Sequence, residues 1–256
     1  MKRILIAITL LCAFLCISCQ KTPDAHEAFD TTADKVLDKY VEALGGRPAI
    51  EKVNSRMFKA VLVWGDKTGS AEHFLKAPNK YMSVTSVSEI GSTQVVTLKE
   101  GFDGNAGWGL DLKNNLRDWN DNEIATTKRN KDLHREIRLK DLYPTISLKE
   151  KEKIEDRDVY ELEMTPASGK PEYMFFDAET GLLVRHEFSL DGPDGQPRPY
   201  VFDYEDYRDV DGVKVPFTVK RTKPSIYTLK IKEIKQNVAI DDGQFSKPGP
   251  PSVASR

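Results

Sequence analysis

Apolar and polar residues alternate with a period of two through most of the chain from Ser55 onward. In GVKVPFTVK, one face of an extended chain carries Val213, Val215, Phe217 and Val219, and mostly polar residues fall on the other face. The pattern recurs in VYELEM and YTLKI, where the apolar faces carry Tyr160, Leu162 and Met164, and Tyr227, Leu229 and Ile231. Strands with one apolar and one polar face are typical of antiparallel sheets.

Turn sequences separate these strands at short intervals. WGDKTG, KAPNK, FDGNAG, DAETG, DGPDGQP and DVDG combine Gly, Pro, Asn and Asp, the residues that tight turns favour. Their recurrence predicts a meander of β-hairpins. Asp103, Asp177 and Asp211 lie beside glycine-containing turns, where aspartate has a structural role.

Three stretches depart from the alternation. In ADKVLDKYVEALGG the apolar residues recur at helical spacing and Gly45 and Gly46 end the helix, and RPAIEKV predicts a second helical turn. The segment 122–144 predicts a longer helix that stops at Pro144. Its basic surface comprises Lys128, Arg129, Lys131, Arg135, Arg138 and Lys140. Both a solvated helix face and a contact with anionic lipid headgroups fit this surface.

The N-terminus has a different pattern. Lys2 and Arg3 precede an apolar run, 4–17, that is too short to span a bilayer as a helix but has the length of a secretory signal. It ends in CISC, which resembles the bacterial lipobox. We therefore expect residues 1–18 to be a signal peptide and residues 19–32 to be a flexible tether lipidated at Cys19. The alternative is ordinary cleavage that leaves a spare thiol.

Composition and motif spacing narrow the classes of function. The chain has 38 Lys and Arg against 40 Asp and Glu, a formal charge of −2, which argues against nucleic acid as a partner. Its four histidines are scattered singly, its 3 cysteines all lie in the N-terminal segment, and no G-x-S-x-G, P-loop, H-E-x-x-H or G-x-G-x-x-G spacing occurs. The sequence therefore predicts no catalytic residue, no metal site and no cofactor.

The order of the motifs is more specific than any one of them. A helix ending in ALGG is followed by FDGNAGW, FFDAETGLL and DGVKVPF, and this order resembles the LolA/LolB-like lipoprotein-carrier superfamily over residues 33–248. The resemblance implies one mainly β (α+β) domain, a curved antiparallel half-barrel with helices roofing the concave face, which takes acyl chains. Residues 249–256 are expected to form a disordered tail.

Under this resemblance, one face of the alternating strands lines a ligand cavity. The candidate lining residues are Leu62, Trp64, Val96, Leu98, Trp108, Tyr160, Leu162, Met164, Val215, Phe217, Tyr227 and Leu229. An ordinary filled core would use the same residues. Trp108 either caps the cavity mouth or plugs one end of the core with its N–H bonded to backbone. The arginine that helps to latch the helical lid of the soluble carrier is replaced by Ala77.

Sequence and resemblance together predict a monomeric bacterial lipoprotein, held by its lipid anchor at the outer membrane and facing the periplasm. Its partners are expected to be that membrane and the acyl chains of lipids or lipoproteins, which it binds or transfers without catalysis. The first alternative is a sensor or structural lipoprotein with a filled core that acts through a protein partner. The second is a hydrolase of envelope lipids or glycans, for which a carboxylate cluster with perturbed pKa values in a cleft would be the first sign.

The lipobox interpretation makes a direct prediction. Replacing Cys19 with alanine removes the acylated side chain, so the variant should accumulate as uncleaved precursor or leave the membrane fraction. Growth with radiolabelled palmitate followed by membrane fractionation measures this. Label retained by Cys19→Ala would contradict lipidation at this residue.

Overall fold

A computed structural model describes residues 31–249, except 112, 114, 168 and 192–194. The expected signal peptide, Cys19, most of the expected tether and nearly all of the expected tail lie outside the described residues. The chain from Thr31 onward forms one compact unit, whose core residues run from Val36 to Phe245. No described helix has the length and apolar character needed to cross a membrane.

In the described part of the chain, thirteen strands form one antiparallel sheet, as the alternating pattern predicts. They are β1 (Ser55–Trp64), β2 (Lys67–Lys76), β3 (Lys80–Glu89), β4 (Val96–Phe102), β5 (Gly107–Leu110), β6 (Leu116–Asp118), β7 (Thr145–Ile154), β8 (Arg157–Thr165), β9 (Glu172–Asp177), β10 (Leu183–Asp191), β11 (Pro197–Val210), β12 (Val213–Lys223) and β13 (Tyr227–Gln236). Their order is β6-β5-β4-β3-β2-β1-β13-β12-β11-β10-β9-β8-β7. Two meanders, β1–β6 and β7–β13, are thus joined by the pairing of β1 with β13 into an open, curved half-barrel.

The described helices are short. They are α1 (Ala33–Ala43), α2 (Arg47–Glu51), α3 (Asp121–Asn130) and α4 (Leu139–Leu142), with 3₁₀ turns at Arg135–Ile137 and Asp242–Phe245. α1 and α2 confirm the helices predicted at these positions. A side-chain cap from Thr32 to the Lys35 N–H begins α1, and the Gly46 N–H donates to the Val41 carbonyl at its end.

The single helix predicted over 122–144 is wrong. α3 begins with a capping box formed by Asn120 and Glu123 and ends at Asn130. Beyond it, the Leu133 N–H donates to the Pro78 carbonyl and the His134 N–H donates to the Asp132 carboxylate. Because these donors are used outside a helix, the segment continues as separate short turns.

The helices cover one face of the sheet, which we call the inner face. Val36, Leu37 and Tyr40 of α1, together with Leu139 and Tyr143 near α4, pack in one buried cluster with strand residues. The strand members are Leu162, Met164, Met174, Phe176, Leu183, Val213 and Val215. The apolar faces assigned to VYELEM and GVKVPFTVK therefore do point inward.

The opposite, outer face is less polar than the alternation predicts. Val159 is fully buried there and packs with Phe175 and Val184, with Ile154 and Tyr173 around them. The prediction of a wet outer face is thus wrong on β8, where neighbouring strands supply a small second apolar layer. Asp103 and Asp177 act as predicted, since each accepts hydrogen bonds from backbone N–H groups in its own turn.

Gly45 joins α1 to the sheet in a way that admits no side chain. Its φ is +117°, and a Cβ there would lie 2.0 Å from the Gly212 carbonyl oxygen. Nearby, the Lys214 N–H donates to the Leu44 carbonyl at 2.8 Å. The ALGG motif therefore fixes the helix end against the β11–β12 hairpin.

Replacing Gly45 with alanine should lower the free energy of unfolding by at least ~2 kcal/mol, because the strained φ and the backbone clash add. Gly65→Ala is the matched control: its φ is +61° but nothing lies within 4 Å of the added Cβ, so it should lose only ~1 kcal/mol. Urea titrations measure both values, and equal losses would contradict a close contact at Gly45.

Candidate functional site

The inner face is divided into two apolar regions. The roofed cluster is the one that the helices cover, with Leu162, Met164 and Val215 among its strand residues. The second, which we call the inner-sheet cluster, has as its buried members Ala60, Leu62, Ala71, Val87, Leu229 and Ile231, and half-buried Phe58, Trp64, Leu98, Phe217, Val219, Tyr227 and Ile234 pack against it. All of these described residues come from strands. The helical roof therefore contributes no apolar side chain to the inner-sheet cluster.

The predicted lining residues fall into different places. Leu162, Met164 and Val215 are buried in the roofed cluster, with Tyr160 against them. Six others belong to the inner-sheet cluster: Leu62, Trp64, Leu98, Phe217, Tyr227 and Leu229. Phe217 packs against both clusters, so it marks the boundary between them. Val96 pairs with Val87 but is 39% exposed.

Trp108 lies on the outer face rather than with either cluster. It pairs with Gly101, whereas the neighbouring Phe102 points to the other side and stacks on Trp119. Its side chain is buried, and its Nε1–H donates to the Phe245 carbonyl at 3.0 Å. Trp108 thus fixes the C-terminal segment against the outer side of β5, with its N–H bonded to backbone.

Exposed apolar side chains lie together at one end of the strands. The large exposed hydrophobic residues in the described chain are Val63, Ile90, Val95, Val96, Leu116 and Ile226. They lie in or beside the β1–β2, β3–β4, β5–β6 and β12–β13 connections. Alternate connections of an antiparallel sheet lie at the same end of its strands. These residues therefore flank the inner-sheet cluster at the end where Trp64 and Tyr227 lie.

A buried carboxylate joins the roof to β9. Glu172 is 2% exposed; its Oε1 accepts from the Arg129 Nη2 at 2.8 Å, and its Oε2 accepts from the Tyr143 hydroxyl at 2.7 Å. The His186 Nε2 lies 2.8 Å from the same Oε2. Arg135 in turn donates to the Tyr143 hydroxyl at 3.2 Å. Side chains from three roof positions and two strands thus meet at one anion.

The electrostatics of this network follow from burial and pairing. Burial alone would raise the pKa of Glu172, but the hydrogen bond from His186 and the positive charges of Arg135 and Arg129 hold that pKa at about 2. Burial lowers the pKa of His186 more than its contact with Glu172 raises it. His186 is therefore neutral at pH 7 and donates from Nε2, while Arg129 supplies the balancing charge.

The basic surface predicted on 122–144 is largely turned inward or paired. Arg129 and Arg135 belong to the Glu172 network. The Lys131 ammonium lies 4.3 Å from the centre of the Tyr81 ring. Arg138 pairs with Asp132 and Lys140 pairs with Asp34. Lys128 is exposed, and the Arg138 and Lys140 side chains remain 41% and 53% exposed, so only half of the predicted basic surface stays in contact with solvent.

A second polar group borders the inner-sheet cluster on β2–β4. The His73 ring stacks on Phe58 with ring centres 4.4 Å apart, and the Tyr81 hydroxyl donates to Glu100 at 2.8 Å. Burial, with a smaller effect from Lys131, lowers the pKa of His73 to about 3. His73 is therefore uncharged at physiological pH and packs as an aromatic ring beside the inner-sheet cluster.

Three carboxylates meet on β7 and β8, outside the roofed face. Oxygen atoms of Glu150, Glu152 and Glu161 lie within 4.8 Å of one another. Partial burial, then the hydrogen bond and charge of Glu152, raise the pKa of Glu161 to about 7. Glu161 and Glu152 also line an outer groove of ≈ 480 Å³ with Arg185 and Tyr173. Partial burial and the nearby carboxylates together disfavour the ionised form of Glu161, and these groups lie on the face opposite the inner-sheet cluster.

Sequence reasoning missed Glu172 and His186, although the alternation contains a signal for both. Glu172 shares a face of EYMFFD with Met174 and Phe176, and His186 is paired with Met174 across β9 and β10. A carboxylate at an inward position of an apolar face requires a partner. Its partners Arg129 and Tyr143 are 43 and 29 residues away along the chain, so spacing alone did not identify them.

The fold is similar to that of two solved structures. One is a LolA superfamily protein from Nitrosomonas europaea, with 15% identity, a TM-score of 0.51, and coverage of 85% of this chain and 98% of that one. The other is an outer membrane lipoprotein-sorting protein domain from Vibrio parahaemolyticus, with 12% identity, a TM-score of 0.51, and coverage of 82% and 97%. Neither a family model nor a curated protein matches the sequence. The chain has a LolA-like fold, which confirms the resemblance predicted from its motifs.

Replacing Glu172 with glutamine should lower the free energy of unfolding at pH 7 by ~3–5 kcal/mol, because Arg129 is left as a buried, unbalanced charge. The folded-state pKa of Glu172 lies below the ordinary glutamate value of 4.5. The stabilisation it gives wild type is therefore complete above pH ~4.5 and is lost as pH falls toward 2, and the difference between the two proteins should shrink over that range.

Glu179→Gln is the control for this prediction, since Glu179 is exposed on the neighbouring hairpin and should change the free energy by no more than ~0.5 kcal/mol. Denaturant titrations from pH 7 to pH 2.5 measure all three proteins. A Glu172→Gln loss that does not change with pH would contradict the ionised network.

Proposed function

We propose that this protein is a lipid-anchored protein of the bacterial envelope that binds an acyl chain, without catalysis, on the inner-sheet cluster. The observation that carries the proposal is the division of the inner face. The roofed cluster is filled by helical side chains, whereas the inner-sheet cluster is built from strands alone and is bordered by half-buried aromatic residues.

The chemistry of this surface suits an acyl chain. Leu62, Leu229 and Ala71 form its buried apolar base, and half-buried Trp64 and Tyr227 add large amphipathic rings at one end of the cluster. Each methylene that such a surface removes from water contributes ~0.8 kcal/mol. A chain of ten methylenes therefore gains ~8 kcal/mol before the cost of ordering it, enough for measurable affinity if half survives.

The exposed apolar residues at one end of the strands support a role next to a membrane. Ile90, Val95 and Ile226 are 64–72% exposed and lie on connections around the same end of the cluster. Side chains of this kind bury readily in a lipid surface. Together with lipidation at Cys19, they suggest that acyl chains enter from the membrane to which the protein is tethered, with the outer membrane as the proposed site.

The LolA-like fold agrees with this function, since one similar structure is named as a lipoprotein-sorting domain. Transfer of lipid or lipoprotein to the outer membrane is the use that we propose for the binding surface. A sensor or structural role through a protein partner is the alternative. It would follow if the inner-sheet cluster bound no ligand.

The test uses the chain from Gln20 onward, because the compact unit that begins at Thr31 contains its own core. A fluorescent fatty acid should bind saturably at one site. Leu98→Gln in the inner-sheet cluster should weaken this binding about fivefold, the effect of losing ~1 kcal/mol of apolar contact.

Leu148→Gln is the matched control, because Leu148 is also a half-buried strand leucine but packs against the roofed cluster. It should leave the affinity unchanged. Absence of saturable binding, or an equal loss in the two variants, would contradict the proposed site.

A further inference from the structure

Arg56 is an arginine without a counter-charge on the inner face of β1. It lies opposite Leu75 of β2 and Gln236 of β13, and the alternation places its side chain on the same face as Phe58. Its Nε is buried and has no hydrogen-bond partner. Among the residues that the structure describes, no carboxylate forms an ion pair with its guanidinium.

A second arginine, in the 3₁₀ turn of the roof, has a similar environment. Arg135 is 9% exposed, and its Nε is likewise buried without a partner. Its only hydrogen bonds to described residues go from Nη2 to the Tyr143 hydroxyl and, weakly, to the Met174 sulfur. The His134 ring lies 2.8 Å from the Val53 carbonyl, so the turn that carries Arg135 lies beside the start of β1, and the charges of both arginines act on the ionisation of Tyr40.

Two carboxylates act on these arginines: Glu172 acts on Arg135, and a second one acts on Arg56. Glu136, in the 3₁₀ turn, acts on both Arg56 and Tyr40, but it is not within ion-pair distance of Arg56. Tyr40 and Tyr204, the other groups that act on one another here, are phenols and stay neutral because burial raises the pKa of each. With the neighbouring Arg129–Glu172 pair included, three guanidiniums lie near two carboxylates, which leaves an excess of one positive charge in this part of the inner face.

Buried charges in proteins are ordinarily paired, because removal from water is costly and a partner offsets that cost. Here burial lowers the pKa of Arg56, and Glu136 offsets only part of the effect. The unused N–H donors of two arginines therefore point to an anion supplied from outside the chain. A guanidinium binds a carboxylate or a phosphate through two parallel N–H donors.

Arg56 adjoins the surface proposed for the acyl chain. Phe58 follows Arg56 on the same face and packs against the inner-sheet cluster. Ile234, paired with Phe58 across β13, packs against both apolar clusters. The side chains of Phe58 and Ile234 therefore connect Arg56 to the inner-sheet cluster, whereas Arg135 lies against Tyr143 and Met174 of the roofed cluster.

We propose that Arg56, assisted by Arg135, binds the anionic head of an amphiphile whose chain lies on the inner-sheet cluster. The ligand class is a single-chain or multi-chain lipid with a carboxylate or phosphate at its polar end. This inference rests on the proposed function and adds selection by head-group charge to it.

The experiment compares three ligands with the same sixteen-carbon chain: hexadecanoate, monohexadecyl phosphate and hexadecan-1-ol. Each displaces a fluorescent fatty acid from the chain that begins at Gln20, at pH 8, below its critical micelle concentration. Wild type should bind at least one of the anions about tenfold or more tightly than the alcohol, the effect of a charge-assisted hydrogen-bond pair. Comparison of the two anions distinguishes a fatty acid head from a phosphate head.

Three variants test whether Arg56 causes the preference for anionic ligands over the alcohol. Arg56→Gln should reduce it to about threefold or less while the affinity for hexadecan-1-ol stays within a factor of about two, since charge selection is lost and chain contacts remain. Arg56→Lys keeps the charge without the planar fork and should retain part of the preference. Lys59→Gln, on the outer face of the same strand and paired with Glu72, should change neither quantity.

Stability gives an independent readout. Because Arg56 has no ion pair or hydrogen bond to a described residue, Arg56→Met should melt at the same temperature as wild type or higher. Removal of an arginine with a structural role would instead lower the melting temperature. Melting at a lower temperature overturns the proposal. So does an equal loss of affinity for all three ligands in Arg56→Gln.

The outcomes separate the two proposals. Tight binding of all three ligands without preference would overturn head-group selection and leave acyl-chain binding intact. Absence of binding by any of the three, the alcohol included, would overturn both. Lipids extracted from the full-length protein after expression give a final check, since anionic amphiphiles should be enriched over neutral ones relative to the membrane of the host.

Discussion

The pairing of β1 with β13 is the contact on which the rest of the structure depends. It joins the first meander to the second, with Arg56 opposite Gln236 at one end and Val63 opposite Thr228 at the other. The register shifts between Lys59 and Ala60, an irregularity that increases local twist. Without this pairing, β1–β4 and β12–β13 could not contribute to one apolar surface, and the inner-sheet cluster would not exist.

The helical roof determines which part of the inner face becomes the roofed cluster. The C-terminal end of α1 is attached to the β11–β12 hairpin by the close contact of Gly45 with Gly212 and by the hydrogen bond from the Lys214 N–H to the Leu44 carbonyl. The later roof segments are attached through Glu172, which accepts from Arg129 and Tyr143. Because a buried carboxylate of this kind is stable only with its partners in place, the network fixes the roof over β8–β10. The apolar strand residues on β1–β4 have no such helical cover.

Polar groups on the inner face differ in how fully their charges and hydrogen-bonding atoms are paired. Glu172 has a charged partner and two neutral ones, and the His73–Tyr81–Glu100 group is hydrogen-bonded within itself. Arg56 has neither an ion pair nor a hydrogen bond to a described residue. The contrast matters physically, because a buried network whose groups are all paired stabilises the fold. An unpaired buried cation instead raises the free energy of the empty protein, and a bound anion would remove that cost.

Much of the architecture was predictable because it depends on local periodicity. The alternation in GVKVPFTVK correctly placed Val213 and Val215 inward, and the turn sequences predicted the hairpins. Where a distant segment changed the environment of a residue, local pattern failed. Val159 looked solvent-facing, but Phe175 and Val184 of neighbouring strands cover it. The helix over 122–144 was broken because the backbone N–H of Leu133 bonds to Pro78.

The sequence by itself therefore determined the strands, their inward faces, the first two helices and the LolA-like order of motifs. These follow from side-chain spacing along a single segment. Only the tertiary structure decided that Leu162 lies under helices and Leu62 does not, that Trp108 faces outward, and that Arg129 and Arg135 turn inward. Such outcomes depend on which segments meet across tens or hundreds of residues, and on whether a charge finds its partner there, which no local spacing encodes.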